Sequence, residues 1–123
     1  MHDLPEHILH PDPDIYLGDN YETVDLETTN LDKGSALNNL NQLILSCGRD
    51  SGGTITRCWG NEYQAAEYAD KLATKSFIIA HNAKFELQWL KRCGLDLTRV
   101  VVWDTQIAEY VLDGNRSGKL GLD

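Results

Sequence analysis

The segment YETVDLETTN, residues 21–30, decides how the chain is read. Alternation puts Tyr21, Thr23, Asp25 and Glu27 on one face of an extended strand and Val24 and Leu26 on the other. The apolar face needs a layer packed on it, whereas the end of the strand turns polar where the two carboxylates stand. Residues i and i+2 of a strand point the same way, roughly 6.6 to 6.8 Å apart, so Asp25 and Glu27 project side by side. Two carboxylates on a shared face repel unless one is protonated or a cation bridges them, and hard divalent ions such as magnesium favour oxygen ligands. A solvated strand end carries the same D-x-E spacing, so the pair by itself leaves both readings open.

Outward from that strand, NQLILSCG (41–48) and GGTITRCWG (52–60) are strand-like runs joined by the turn formers GRDSGG, which predicts a hairpin. Asn61 and Gln64 form a capping-box pattern, and Ala65, Ala66, Ala69, Leu72 and Ala73 follow at helical spacing for about three turns. SFIIA (76–80) reads as a central strand and HNAKFELQWLKRCG (81–94) as a helix ending at Gly94. RVVVW (99–103) is another buried strand, and Asp104 with Thr105 is placed to cap a helix carrying Ile107, Ala108, Val111 and Leu112. Three antiparallel strands followed by alternating helices and strands imply an α/β fold, a mixed sheet flanked by helices.

Length bounds the chain to one core: 123 residues at 41% hydrophobic content make one domain. Residues 1–15 hold all three prolines and read as an irregular N-terminal arm before a domain at 16–123. His2, His7, His10, Asp12 and Asp14 in that arm could gather a metal, but short polar termini are ordinarily solvated. With 11 basic against 19 acidic residues the net charge is −8, which disfavours a broad basic surface for nucleic acid. A polyanionic substrate would need local help, such as bound cations. Cys47, Cys58 and Cys93 are odd in number and contain no C-x-x-C pair, so reduced thiols are expected. No basic and apolar leader opens the sequence, and no apolar run nears the roughly 18 residues of a membrane span, so a cytoplasmic, membrane-free protein is expected.

In an open α/β sheet, sites form where strand ends meet helix starts, so Glu86, on the first turns of the 81–94 helix, can share a pocket with Asp25 and Glu27. A solvated glutamate favoured by the helix dipole is the competing reading. Phe85, Trp89 and Cys93, at i, i+4 and i+8, point to a core stripe.

TVDLETT, then AHNAKFELQWL, then VVWDTQIAEYVLDG, together resemble the 3'-5' proofreading exonuclease domain of family A DNA polymerases, especially bacteriophage ones. That domain belongs to the DEDD exonuclease superfamily, and the resemblance implies an RNase H-like fold. Three motifs in order are far more specific than one D-x-E. The resemblance implies two divalent cations, magnesium or manganese, with Asp25 as their shared ligand and Glu27 a ligand of the ion that activates water. Glu86 stands where many members have aspartate. The resemblance further implies that Asn82 and Phe85 touch a single-stranded DNA 3' end, that Leu31 packs on the terminal base, and that Thr28 presents its backbone or hydroxyl there. Asp104 also falls in a family motif, although a capping role suits it better than catalysis.

The family pattern includes a fourth carboxylate on a later helix bearing Tyr-x-x-x-Asp, and none follows the third motif here. The expectation is a domain truncated before its last helices, with doubtful activity as an isolated chain. A split enzyme completed by a polymerase domain or second chain, or a non-catalytic module binding single-stranded nucleic acid or a replication partner, are the alternatives. If the source is viral, the place of action is the host cytoplasm.

Overall fold

The computed structural model describes residues 12–59 and 62–113. Five strands, β1 (Tyr21–Thr28), β2 (Leu43–Asp50), β3 (Ile55–Trp59), β4 (Phe77–Ala80) and β5 (Val102–Asp104), form one sheet in the order β3-β2-β1-β4-β5. Helix α1 (Glu62–Leu72) precedes β4, α2 (Ala83–Arg92) joins β4 to β5, and α3 (Thr105–Asp113) follows β5. β2 runs antiparallel to both β1 and β3, whereas β1, β4 and β5 are mutually parallel. This is the α/β, RNase H-like mixed sheet that the antiparallel opening and the later alternation of helices and strands imply.

The hairpin turns where GRDSGG predicts: Gly53 N–H donates to Asp50 O, Thr54 N–H to the Asp50 carboxylate, and Gly53 takes a φ of 92°. Helix α2 ends at Gly94 because its φ of 107° lets Gly94 N–H reach Lys91 O and Leu95 N–H reach Leu90 O, the paired bonds of a Schellman cap. β5 lies later than the run RVVVW suggests. Asp96 caps a 3-10 turn at Leu97–Arg99, which takes up the first residue of that run and delays the ladder. Asn61 and the side chain of Gln64, which make up the capping box, and the histidines of the arm lie outside the described residues. Asp12 instead caps a 3-10 turn at Pro13–Leu17. Tyr16, in that turn, packs edge-on against Phe77 and Trp103 and donates its hydroxyl to Val102 O at 2.7 Å.

Alternation along β1 holds: Val24 and Leu26 are buried with Ala65, Tyr68, Ala69 and Leu72 of α1 and Leu87, Trp89 and Leu90 of α2. Tyr21, Thr23, Asp25 and Glu27 take the other face. By the same period Glu22 points into the core, where it is fully buried. Tyr68 donates its hydroxyl to Glu22 Oε2 at 2.5 Å, and Lys71 and Lys75 approach Oε1 at 3.6 and 3.8 Å. One hydrogen bond and two nearby ammonium charges answer a charge that would otherwise be prohibitive to bury, although Oε1 itself accepts no hydrogen bond among the described residues. Burial and the neighbouring carboxylate raise the Tyr68 phenol above its ordinary pKa. Opposite them, Gly48 has no room for a side chain: a Cβ there would lie 1.6 Å from the Tyr68 hydroxyl and 2.4 Å from Glu22 Oε2.

Helix α3 forms where Asp104 and Thr105 predict, but none of its residues is buried among the described residues. Ile107, Tyr110, Val111 and Leu112 remain more than half exposed. Cys47, Cys58 and Cys93 are free thiols.

Candidate active site

Three parallel strands end at one edge of the sheet, and that shared direction assembles the site. β1 carries Asp25 and Glu27 to this edge, β4 delivers the N-terminus of α2 with Glu86 on its first turn, and β5 ends on Asp104 beside Ala80. Strand ends and helix starts therefore meet on one side, the usual place for a site in such a sheet.

Glu86 is 4% exposed, and its Oε2 has no hydrogen-bond partner. Burial pushes its carboxyl up to about 7, and the charges of Asp25 and Asp104 push the same way. The backbone of Glu86 and of Leu26 counters this only in part. The solvated-glutamate reading of Glu86 thus fails. Asp25 and Glu27 are exposed, and among the described residues no hydrogen bond or ion pair holds either one.

Asp104 has a different occupation. Its Oδ1 accepts Asn82 N–H at 3.0 Å and Gln106 N–H at 2.9 Å, and its Oδ2 accepts Ala83 N–H at 2.8 Å. It caps its own helix, as its position before Thr105 predicts, and also caps α2 from the neighbouring strand. The second cap leaves no trace in the local sequence. Asn82 needs it: the residue is left-handed, with φ 61° and ψ 62°, and its own side chain makes no capping bond. Asparagine tolerates that conformation better than most residues. Beside it, His81 Nδ1 meets Thr105 Oγ1 at 3.0 Å.

The loop after β1 lies against α2. Phe85 is half-buried; its Cε2 and Thr28 Oγ1 border the empty Cβ position of Gly34, at 3.3 and 2.7 Å. Leu31 is 48% exposed. Trp89 donates Nε1–H to Gly34 O at 2.7 Å, and Arg92 reaches Asn41 O at 2.8 Å while lying 4.7 Å over the Trp89 ring. Asn41, fully buried, ties the loop together. Asn41, Arg92 and the indole N–H of Trp89 escape sequence reading, because an asparagine in NNLNQ looks like any polar loop residue.

Asp25 and Asp104 thus act on Glu86 through their charges, and Asn82 bonds Asp104, while Thr28 and Phe85 meet at Gly34 and Leu31 is held by Asn41. Among the described residues no three His, Cys, Asp or Glu side chains are close enough to enclose an ion. The spacing Tyr-x-x-x-Asp does occur at Tyr21 and Asp25, but on strand β1, where four residues span roughly 13 Å and no helix face is formed. A groove at the turn of the hairpin, lined by Tyr21, Thr23, Arg49 and residues 50–53, lies towards the opposite end of β1 from Glu27.

Comparison with protein families gives a match to the 3'-5' exonuclease domain of the DNA polymerase A type over residues 17–123, and the chain belongs to that family. No curated protein and no solved structure matches it. The family is generally dependent on divalent metal ions. No helix among the described residues is long and apolar enough to cross a membrane.

Proposed function

We propose that the chain acts on the 3' end of single-stranded DNA, removing nucleotides in the 3'-5' direction as the editing partner of a DNA polymerase. One observation carries the reading: the buried, unpartnered Oε2 of Glu86, raised in pKa beside Asp25 at the edge where three parallel strands end. A carboxylate in that position is poorly served by the protein alone and well served by a cation.

Asp25, Glu27 and Glu86 would hold divalent ions, magnesium or manganese, by drawing closer together than they stand here; their oxygen donors suit hard cations. When bound, such ions supply an activated water and stabilise the oxygens of in-line phosphodiester hydrolysis. They also bring positive charge to a chain of net charge −8 only where a phosphate must sit. Leu31 and Phe85 offer apolar surface to the terminal base. Thr28 and Asn82 would contact the same 3' end, and Asp104 holds the α2 N-terminus that presents Glu86. With Asp104 committed to two helix starts, a fourth carboxylate of the Tyr-x-x-x-Asp kind would come from a further helix, of the same or a second chain.

A single-stranded oligonucleotide labelled at its 5' end tests the reading. Magnesium- or manganese-dependent shortening from the 3' end, lost in Asp25→Ala, is expected. Shortening that persists in Asp25→Ala would remove Asp25 from the site. Binding of the oligonucleotide without shortening would favour the second reading, a nucleic-acid-binding module; the commitment of Asp104 to capping favours that outcome for the chain alone.

A further inference from the structure

We propose that Asn41 is a positioning residue for the substrate loop: it fixes Leu31 relative to helix α2, so that single-stranded 3' ends bind a preset apolar contact. This inference rests on the reading of the site as one for nucleic-acid 3' ends. Asn41 Oδ1 accepts Leu31 N–H and the Thr29 hydroxyl, both at 2.9 Å. Its Nδ2 donates to Leu31 O at 2.6 Å and to Ser35 O at 2.9 Å. An asparagine amide has two donors and one oxygen with two lone pairs, so its capacity is full. One side chain therefore grips both backbone polar groups of Leu31, while the Leu31 side chain is left 48% exposed.

The residues that follow are held in a costly shape. Asp32, Lys33 and Gly34 take φ values of 46°, 58° and 79° in succession. Left-handed geometry at non-glycine residues costs roughly 1 kcal/mol or more each and persists only where the surroundings impose it. Those surroundings come from α2: Trp89 bonds Gly34 O, and Arg92 bonds Asn41 O and leans towards Ala36 O and Asn38 O at 3.5 and 3.4 Å. The base of the loop is closed by Thr29 N–H to Gln42 O and by Gln42 N–H to the Thr29 hydroxyl. The helix that carries Glu86 and the loop that carries Leu31 are thus one rigid unit with Asn41 at its centre. A fixed apolar surface binds a terminal base without first paying to order the loop.

The test is the affinity of the full chain for a fluorescein-labelled oligothymidylate of about a dozen nucleotides, a length within single-strand site sizes. Anisotropy is read in calcium at low salt. Asn41→Ala and Leu31→Ala should each weaken binding roughly tenfold, and the double variant should bind no more weakly than Leu31→Ala alone. Circular dichroism should give the same sheet and helix content for all. A purely structural asparagine would leave affinity unchanged in the folded variant, or give additive losses, and either result overturns the proposal. Should Asn41→Ala fail to fold, Trp89→Phe, which removes the N–H that holds Gly34 and keeps an aromatic ring, must show the same non-additivity with Leu31→Ala. If the unaltered chain fails to bind the oligonucleotide, the 3'-end reading itself falls, an outcome distinct from equal binding by all variants.

Discussion

Ala83 N–H donates to Asp104 Oδ2 at 2.8 Å, and through this bond the strand at the sheet's edge caps a helix that begins more than twenty residues earlier in the chain. The same carboxylate serves Gln106 at the start of its own helix. Two helix N-termini and their dipoles converge on one side chain, which sets where α2 begins and hence where Glu86 is presented.

Asp104→Ala should therefore lower stability by about 2–3 kcal/mol, more than an ordinary single cap, because three N–H groups lose an acceptor. Urea denaturation measures it. A loss under about 0.5 kcal/mol would mean that water replaces the carboxylate without cost.

Glu86 makes stability depend on pH. Its folded carboxyl titrates at about 7, against 4.5 for the free group, chiefly because it is buried and secondarily because Asp25 and Asp104 stand near. Between those values the folded state holds more protons than the unfolded state. Stability is thus highest below the unfolded value and declines as pH rises through the folded one. In chelator, the melting temperature should fall from about pH 5 to about pH 8, and Glu86→Gln should flatten that slope. An unchanged slope in Glu86→Gln would place the titration elsewhere.

Added magnesium should reverse that loss. A cation at Asp25 and Glu86 competes with the proton, so the gain in melting temperature should be larger near about pH 8 than near about pH 6. Asp25→Asn should abolish most of the gain and also lower the Glu86 pKa by removing a neighbouring charge. An equal gain in Asp25→Asn would indicate that magnesium binds at another place.

Gly48 and Tyr68 offer a test of the buried Glu22 network. Gly48→Ala should cost about 2–4 kcal/mol, since its Cβ would overlap the Tyr68 hydroxyl at 1.6 Å. Tyr68→Phe should cost about 1–3 kcal/mol by leaving Glu22 Oε2 without its donor. Combined, the two should cost less than their sum, because removing the hydroxyl opens part of the space the alanine needs. Additive losses in chemical denaturation would contradict the contact.

What could be read from sequence follows the range of the interaction. The D-x-E strand, the GRDSGG hairpin, the Gly94 stop and the core stripe of Phe85, Trp89 and Cys93 depend on neighbours within a few residues, and all appear. Glu22 was legible in principle, since the alternation that exposes Asp25 also buries Glu22, but a glutamate is an unlooked-for core residue. Its partners Lys71 and Lys75 lie on another element and have no local signature. The same holds for the second cap by Asp104 and for Asn41, whose bonds mean something only once α2 folds back against the loop. The β5 strand shows the reverse case: its apolar run is clear, but a cap at Asp96 moves its start.

Helix α3, with no buried residue, has its own consequence for how the molecule opens. Without an apolar anchor among the described residues, this helix rests on Asp104 at its first turn and on contacts along a half-exposed face. Among the described residues its first turn is tied by the Asp104 cap and by the Thr105 hydroxyl, which meets His81 Nδ1 and donates to Ala80 O, whereas α2 has Ala83, Leu87, Trp89 and Leu90 fixed in the core. Hydrogen exchange would divide the chain there: amides after Gln106 would exchange in local fluctuations, while those from Leu87 to Leu90 would wait for global unfolding. Asp104 stands at that boundary, one carboxylate shared between a helix fixed in the core and a helix with no buried residue.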